Sequence, residues 1–381
     1  MPPLVLLIKP VSGACNMHCR YCFYTDVQAN RAHASFGRMS LETLECLVQK
    51  AMAQADGSCT FAFQGGEPTL AGLDFYRALL RFQAQYGRSG LTVANTIQTN
   101  GLVIDREWAG FLAENHFLVG VSLDGGKDLH DINRLDAGRK GTFNRVMHAV
   151  QLLRQYQADF NILTVVTAQT ARNIHKLYAF YKRNGLTYQQ YIPCINPFEN
   201  RPDMPADPAP AQDYALTPAL YAEFLKNLFD LWYNDLLNNR YVYIRYFENL
   251  VGLAAGSPPE SCGLLGQCTR QLVVEADGGV YPCDFYVLDS CLLGNLITDS
   301  FADIEQKRDQ LGFIDVSRQV DGRCLSCAWR PLCRGGCRRD REPMTGGKLS
   351  LNRYCEAYQA FFPYVQPRLL QLAQWVSKNA R

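Results

Sequence analysis

Cys15, Cys19 and Cys22 form a Cys-x3-Cys-x2-Cys run directly after the first apolar stretch of the chain. Thiolates are soft ligands that suit iron–sulfur clusters and zinc. Three thiolates on a four-iron cube leave one iron without a protein ligand. That open position can bind a small molecule, by the logic that separates catalytic from structural metal sites. The spacing also allows a structural zinc held by the three cysteines and His18. Position favours the first reading, because a loop after the first strand of a parallel α/β fold is a functional position.

Eight more cysteines follow: Cys262, Cys268, Cys283, Cys324, Cys327, Cys333, Cys337 and Cys355. They suffice to saturate two four-iron clusters, or two four-cysteine zinc sites, and spacing alone leaves both open. A fully ligated cluster has no iron free for substrate, so its role is to pass electrons. Asp284 directly follows Cys283. A carboxylate fixed there could accept a substrate proton while an electron leaves to the metal; the plainer alternative is a solvated turn residue. Gln64 and Gln98 close two strands and could bind a substrate backbone, although a strand-end Gln often caps a loop. Of the remaining cysteines, Cys46 and Cys59 lie on apolar faces and read as core. Cys194 and Cys291 carry no assignment.

The elements that must position these residues alternate. Strands are expected at 4–9, 60–64, 92–98, 118–123, 161–166 and 188–192, with helices at 41–55, 74–86, 105–115, 143–156 and 174–184. Ser40 is a good N-cap and Gly57 a good stop for the first of these helices. Strict β-then-α alternation implies parallel strands with right-handed crossovers. Six such units make an incomplete barrel or an open sheet, with chemistry at the C-terminal ends of the strands. Residues 196–218 hold Pro197, Pro202, Pro205, Pro208, Pro210 and Pro218 and read as an irregular linker. A helix is expected at 221–237 and a β-rich run at 241–247. A hairpin signal sits at Asp277-Gly278-Gly279. A final helix at 356–378 is expected to be interrupted at Pro363 and Pro367.

Composition narrows the class. The chain has 381 residues, 48% hydrophobic and 19% charged, with a net charge of +2, which suits a soluble globular protein of more than one domain. Acids and bases are interspersed, so nothing argues for nucleic acid. The longest apolar run, Leu4 to Ile8, is too short to span a membrane, and a signal peptide's features are missing. The cytosol is therefore expected. Thiols stay reduced there, and fifteen cysteines read as metal ligands rather than disulfides.

A family resemblance joins these features. The Cys15–Cys22 run, with Tyr21 before its last cysteine, resembles the signature of radical S-adenosylmethionine enzymes. Gly65-Gly66-Glu67-Pro68 resembles that family's motif for the methionine amino group. Ser122, Arg134 and Ile195 match positions that contact the cofactor's ribose, carboxylate and adenine. The eight later cysteines resemble the SPASM extension of peptide-modifying members. That arrangement implies one cluster on Cys262, Cys268, Cys283 and Cys337 and another on Cys324, Cys327, Cys333 and Cys355. Phe61–Leu70, Val273–Leu288 and Cys333–Arg339 are similar to the anaerobic sulfatase-maturating subgroup.

The resemblance implies a partial (β/α)6 barrel at residues 1–235 and a hairpin-rich SPASM domain with a C-terminal helix at 236–381. Three [4Fe-4S] clusters and S-adenosylmethionine would serve it, with a flavodoxin or ferredoxin as electron donor. The implied reaction oxidises a Cys or Ser of an unfolded sulfatase to Cα-formylglycine. A 5′-deoxyadenosyl radical takes the β-hydrogen, Asp284 takes the thiol or hydroxyl proton, and an auxiliary cluster takes the remaining electron. The nearest alternative is another peptide-modifying member, such as a thioether-forming maturase. Such enzymes commonly add an N-terminal recognition domain, for which a first strand at residue 4 leaves no room. A zinc scaffold without activity is the alternative from another class.

Overall fold

The computed structural model describes residues 3–198, 213–342, 344–345 and 348–379. Two compact units emerge from the chain. The first comprises Met1–Leu123, His130–Asn161 and Arg270–Gly312; the second comprises Asp124–Leu129, Ile162–Thr269 and Phe313–Arg381.

In the first unit, strands β1 (Leu4–Ile8), β2 (Ser58–Phe63), β3 (Thr92–Thr99) and β4 (Leu118–Ser122) pair in parallel and in order. Helices Leu41–Gln54, Leu73–Tyr86 and Arg106–Glu114 connect them, and Phe143–Gln155 packs beside them. Ser40 caps the first helix, accepting from the Thr43 N–H at 3.1 Å. The buried side chains of that helix fall on one stripe, Leu44, Leu47, Val48, Ala51 and Met52, as a helix over a sheet requires. Tyr76 joins the layers, its ring at edge geometry to Phe63, Phe75 and Trp108. All these elements fall within a residue or two of the sequence expectation.

One feature of this unit was not expected. After the strands β5 (Phe160–Val166), β6 (Tyr188–Pro193) and β7 (Tyr243–Ile244), the chain returns as β8 (Leu272–Val274), which pairs in parallel with β1. The Asp277-Gly278-Gly279 turn then leads into β9 (Gly279–Tyr281), antiparallel to β8, and β10 (Gly294–Asn295) pairs with β9. The hairpin thus extends the sheet that starts with β1. Two signals were hidden: Leu-Val-Val is too short to show a period, and a distant partner strand is invisible in local pattern.

In the second unit, β5, β6 and β7 pair in parallel. Helix Pro218–Leu237 packs along the C-terminal helix Cys355–Asn379. Three expectations are corrected here. The β-rich run at 241–247 yields only Tyr243–Ile244, and Arg245–Ala254 is a helix. Its tyrosines and isoleucine suit strands, but Phe247, Leu250 and Val251 share a helical face that buries, and tertiary packing overrides propensity. Pro218 opens the helix at its first position behind the Thr217 cap, where proline's missing N–H costs nothing. Pro202, Pro205, Pro208 and Pro210 lie outside the described residues.

The third correction concerns Pro363 and Pro367, which lie inside an uninterrupted helix. Both are exposed, as is Gln359, whose carbonyl loses its usual partner. Water can therefore satisfy the freed groups on that side. The opposite face, Ala357, Phe361, Val365 and Leu369, is buried without a break. Phe361 lies within 6.2 Å of the Phe229 and Phe247 rings, centroid to centroid. Packing rather than backbone continuity holds this helix. Phe361→Ala should therefore destabilise the protein by about 3–5 kcal/mol, read as a lower urea midpoint, whereas Pro363→Ala should leave that midpoint unchanged or raise it.

Candidate active site

β1 ends at Ile8, and Lys9 follows it at 2% exposure. The Lys9 N–H donates to the Val274 carbonyl at 2.8 Å, continuing the β1–β8 ladder. Three residues past β9 (Gly279–Tyr281) comes Asp284, also buried. The Lys9 ammonium stands 2.8 Å from Asp284 Oδ1. The two form a buried ion pair. Oδ2 is occupied: the Tyr24 hydroxyl donates to it at 2.7 Å and Gln64 Nε2 at 3.0 Å. Gln64 also reaches the Tyr24 oxygen at 3.1 Å, and Lys9 Nζ lies 4.0 Å from the Tyr24 ring centroid. Burial first, then the Asp284 charge, raise the Tyr24 pKa well above its ordinary value. Tyr24 therefore remains an O–H donor.

The loop of Cys15, Cys19 and Cys22 is pinned on two sides. His18 N–H donates to the Leu135 carbonyl at 2.8 Å and Arg20 N–H to the Asn133 carbonyl at 3.0 Å. This rung-like pairing brings the Arg134 guanidinium to 5.5 Å from the Tyr21 ring centroid. On the other side lies the Gly65-Gly66 turn. A Cβ on Gly66, whose φ is +50°, would stand 2.1 Å from the Ala14 carbonyl oxygen, and the Glu67 N–H donates to that oxygen at 2.8 Å. Only glycine permits this approach.

Glu67 points inward and is fully buried. It accepts from Thr69 N–H at 3.1 Å, Thr69 Oγ1 at 2.6 Å, Thr99 Oγ1 at 2.7 Å and Asn100 N–H at 2.6 Å. Its carboxylate ties the turn after β2 to the end of β3, while burial raises its pKa. Cys15 receives the Met17 N–H at 3.4 Å and Asn100 Nδ2 at 3.7 Å. Although the residue is exposed, the protein around the thiol is the largest cause pushing its pKa up to about 11, and the Glu67 charge adds to it. Gln98 donates to Ser122 Oγ at 3.3 Å across the ends of β3 and β4. Gly120 makes room for it, since a Cβ there would stand 2.0 Å from Gln98 Oε1.

In the second unit, Ile195 follows β6, half-buried. Seven of the later cysteines belong to this unit, and Cys283 to the first. The seven of the second unit sort into two neighbourhoods. Burial, and then the charges of Cys355, Cys324 and Cys327, push the Cys333 thiol up to about 11. Cys337 is raised by burial, with Asp340, Cys262 and then Cys268 contributing. Thiols gathered closely enough to sense one another's charge suit iron–sulfur chemistry. A cube also holds its ligands farther apart than one ion does. Among the described residues, no three His, Cys, Asp or Glu side chains converge on a single ion.

Sequence reasoning missed Lys9, Tyr24, Thr69, Thr99 and Asn100. Lys9 had a readable signal, a charge closing an otherwise apolar strand. Asn100 had none beyond a turn-forming Asn-Gly pair. Cys59 is buried as expected, whereas Cys46 is half-buried and its thiol donates to the Leu296 carbonyl at 3.6 Å.

Comparison with known proteins agrees with this geometry. The model of the radical SAM superfamily matches residues 10–181, and that of the SPASM iron–sulfur cluster-binding domain matches residues 262–328. A cysteine-type anaerobic sulfatase-maturating enzyme of Clostridium perfringens is 46% identical over 98% of this chain and 99% of its own length. A serine-type anaerobic sulfatase-maturating enzyme of Bacteroides thetaiotaomicron is 29% identical over 96% of this chain and 90% of its own. A solved structure of native anSMEcpe with bound AdoMet and Cp18Cys peptide superposes with a TM-score of 0.92 at 44% identity, covering 98% of this chain and 100% of that one. The fold is thus the expected α/β radical SAM architecture followed by a SPASM domain. This chain belongs to the anaerobic sulfatase-maturating enzymes of the radical SAM superfamily.

Proposed function

We propose that the protein oxidises a cysteine of an unfolded sulfatase segment to Cα-formylglycine, with S-adenosylmethionine and three [4Fe-4S] clusters as cofactors. The observation that carries this reading is the buried carboxylate of Asp284, ion-paired to Lys9 and directly following Cys283. Cys15, Cys19 and Cys22 hold the opened cluster. Cys262, Cys268, Cys283 and Cys337 hold one auxiliary cluster, and Cys324, Cys327, Cys333 and Cys355 the other. Tyr21, Gly66, Ser122, Arg134 and Ile195 contact S-adenosylmethionine. Glu67, with all its observed bonds to Thr69, Thr99 and Asn100, serves that site by holding the loops in place. The same reading assigns residues 1–235 to radical generation and 236–381 to the auxiliary clusters.

When bound, these groups supply a 5′-deoxyadenosyl radical that takes the substrate β-hydrogen and a sink for the remaining electron. The chain's own residues supply the rest. Asp284 accepts the substrate thiol proton at Oδ1, the oxygen that Lys9 pairs with. Tyr24 and Gln64 keep Oδ2 fixed and unavailable, so the carboxylate cannot rotate. Lys9 balances the charge that burial would otherwise penalise. Gln98 holds the substrate backbone in exchange for Ser122, and Gln64 does so through its carboxamide oxygen while its amide nitrogen stays on Oδ2. A thioether-forming maturase would need the same clusters, but identity of 46% over nearly the whole chain favours sulfatase maturation.

Cysteine is preferred over serine because the cysteine-type relatives are 46% identical and the serine-type ones 29–30%. The substrate is a polypeptide that reaches the site unfolded, and a low-potential flavodoxin or ferredoxin supplies electrons. Neither nucleic acid nor membrane is a partner, and the cytosol is the proposed location. Among the described residues, no helix is long and apolar enough to cross a membrane.

Two experiments test this reading. Asp284→Asn should keep iron content and 5′-deoxyadenosine formation while formylglycine yield on a cysteine-containing sulfatase peptide falls about 100-fold or more; undiminished yield removes Asp284 from the mechanism. Replacing Cys15, Cys19 and Cys22 together by Ala should abolish 5′-deoxyadenosine formation. Mass spectrometry of matched Cys and Ser peptides after anaerobic turnover reads both, and a preference for the Ser peptide would overturn the cysteine assignment.

A further inference from the structure

Asn100 sits in the first turn after β3, 8% exposed, outside every motif described above. Its position is set from three directions. Its backbone N–H donates to Glu67 Oε2 at 2.6 Å. Its side-chain Oδ1 accepts the Leu102 N–H at 2.9 Å, which fixes which end of the carboxamide is oxygen. Its Nδ2 therefore faces the cysteine loop, donating to Asn16 Oδ1 at 2.7 Å and to Cys15 Sγ at 3.7 Å. Both protons of the amide are thus committed, and one is aimed at a sulfur. A neutral thiol gains little from such a donor, whereas a cluster-bound thiolate gains much.

We propose that Asn100, held by Glu67, is a positioning residue that raises the reduction potential of the cluster on Cys15, Cys19 and Cys22. The inference rests on the proposed ligation by those three cysteines. An added electron spreads negative charge onto the cluster's sulfur ligands. An N–H donor at Cys15 stabilises that reduced form more than the oxidised one. Glu67 orients the donor by holding the Asn100 backbone N–H. The Met17 N–H also reaches Cys15 Sγ, but it belongs to the backbone and stays constant among side-chain variants.

The test is a redox titration of the reconstituted three-cluster protein, followed by EPR. The component that changes when S-adenosylmethionine is added reports the first cluster. Asn100→Asp keeps an acceptor for Leu102 but replaces the donor with negative charge, and Asn100→Leu removes both. Both variants should keep wild-type iron content and show a lower midpoint potential. At a solution potential that half-reduces the wild-type cluster, the reduced signal should fall several-fold, further for Asp than for Leu. An unchanged or raised potential in both overturns the proposal. So does loss of iron in both, which would make Asn100 a residue that holds the cluster rather than tunes it. If only the Leu variant loses iron, the Asp variant decides. A wild-type protein with no signal responsive to S-adenosylmethionine would instead refute the ligation by Cys15, Cys19 and Cys22.

Discussion

The ion pair between Lys9 and Asp284 is the constraint on which the first unit's arrangement depends. A buried charge is tolerated only with a partner, and removing one member of such a pair typically costs about 3–5 kcal/mol. Lys9 is fixed by the end of β1, so Asp284 must come to it. The parallel pairing of β8 with β1 and the tight turn into β9 bring it there. A second buried pair repeats the logic. Arg31, in the segment after the cysteine loop, bonds Glu275 at 2.7 Å at the tip of the same hairpin. Two buried ion pairs thus lock the hairpin to the chain that follows β1. A slip of one residue would turn every side chain of β8 to the opposite face and break both.

The cysteine loop is held by different means. It contains no regular element between Ile8 and Phe23, so its backbone groups need outside partners. The segment at residues 133–136 supplies partners on one side, and the Gly65-Gly66 turn supplies one on the other. The glycines matter for approach distance, because two backbones in contact leave no space for a Cβ. Glu67 then links this turn to the end of β3 through buried hydrogen bonds. The ends of β1, β2 and β3 are thereby joined by polar contacts made away from water, where each is worth most and its absence costs most.

Legibility in the sequence followed the range of the interactions involved. The six strands and the five longest of the helices at residues 4–193 were readable because amphipathic periods and caps are local. The cysteine groups were readable because ligand spacing is local too. The β1–β8 pairing was not, since it joins residues far apart in sequence. Tyr241–Phe247 misled because aromatic residues suit a strand and a buried helix face alike. Pro363 and Pro367 misled because their cost depends on whether the broken hydrogen bonds face water, which only the packed structure decides. Lys9 and Tyr24 became functional candidates once the fold placed them around Asp284, and Asn100 once it pointed at a sulfur.

The chemistry of the base bears on the choice of substrate. An aspartate carboxylate is a weak base, near pKa 3.9 when unperturbed, and a free thiol lies near about 8.5. An aliphatic hydroxyl, closer to water, gives up its proton far less readily. Oδ2 of Asp284 is committed to Tyr24 and Gln64, and Oδ1 faces a cation. The ammonium balances a charge that burial would penalise. A carboxylate base is matched to the group that gives up its proton more readily. The proposed role of Asp284 as the base therefore fits a cysteine substrate. Lys9 is what lets this carboxylate lie buried, because its ammonium balances the charge there.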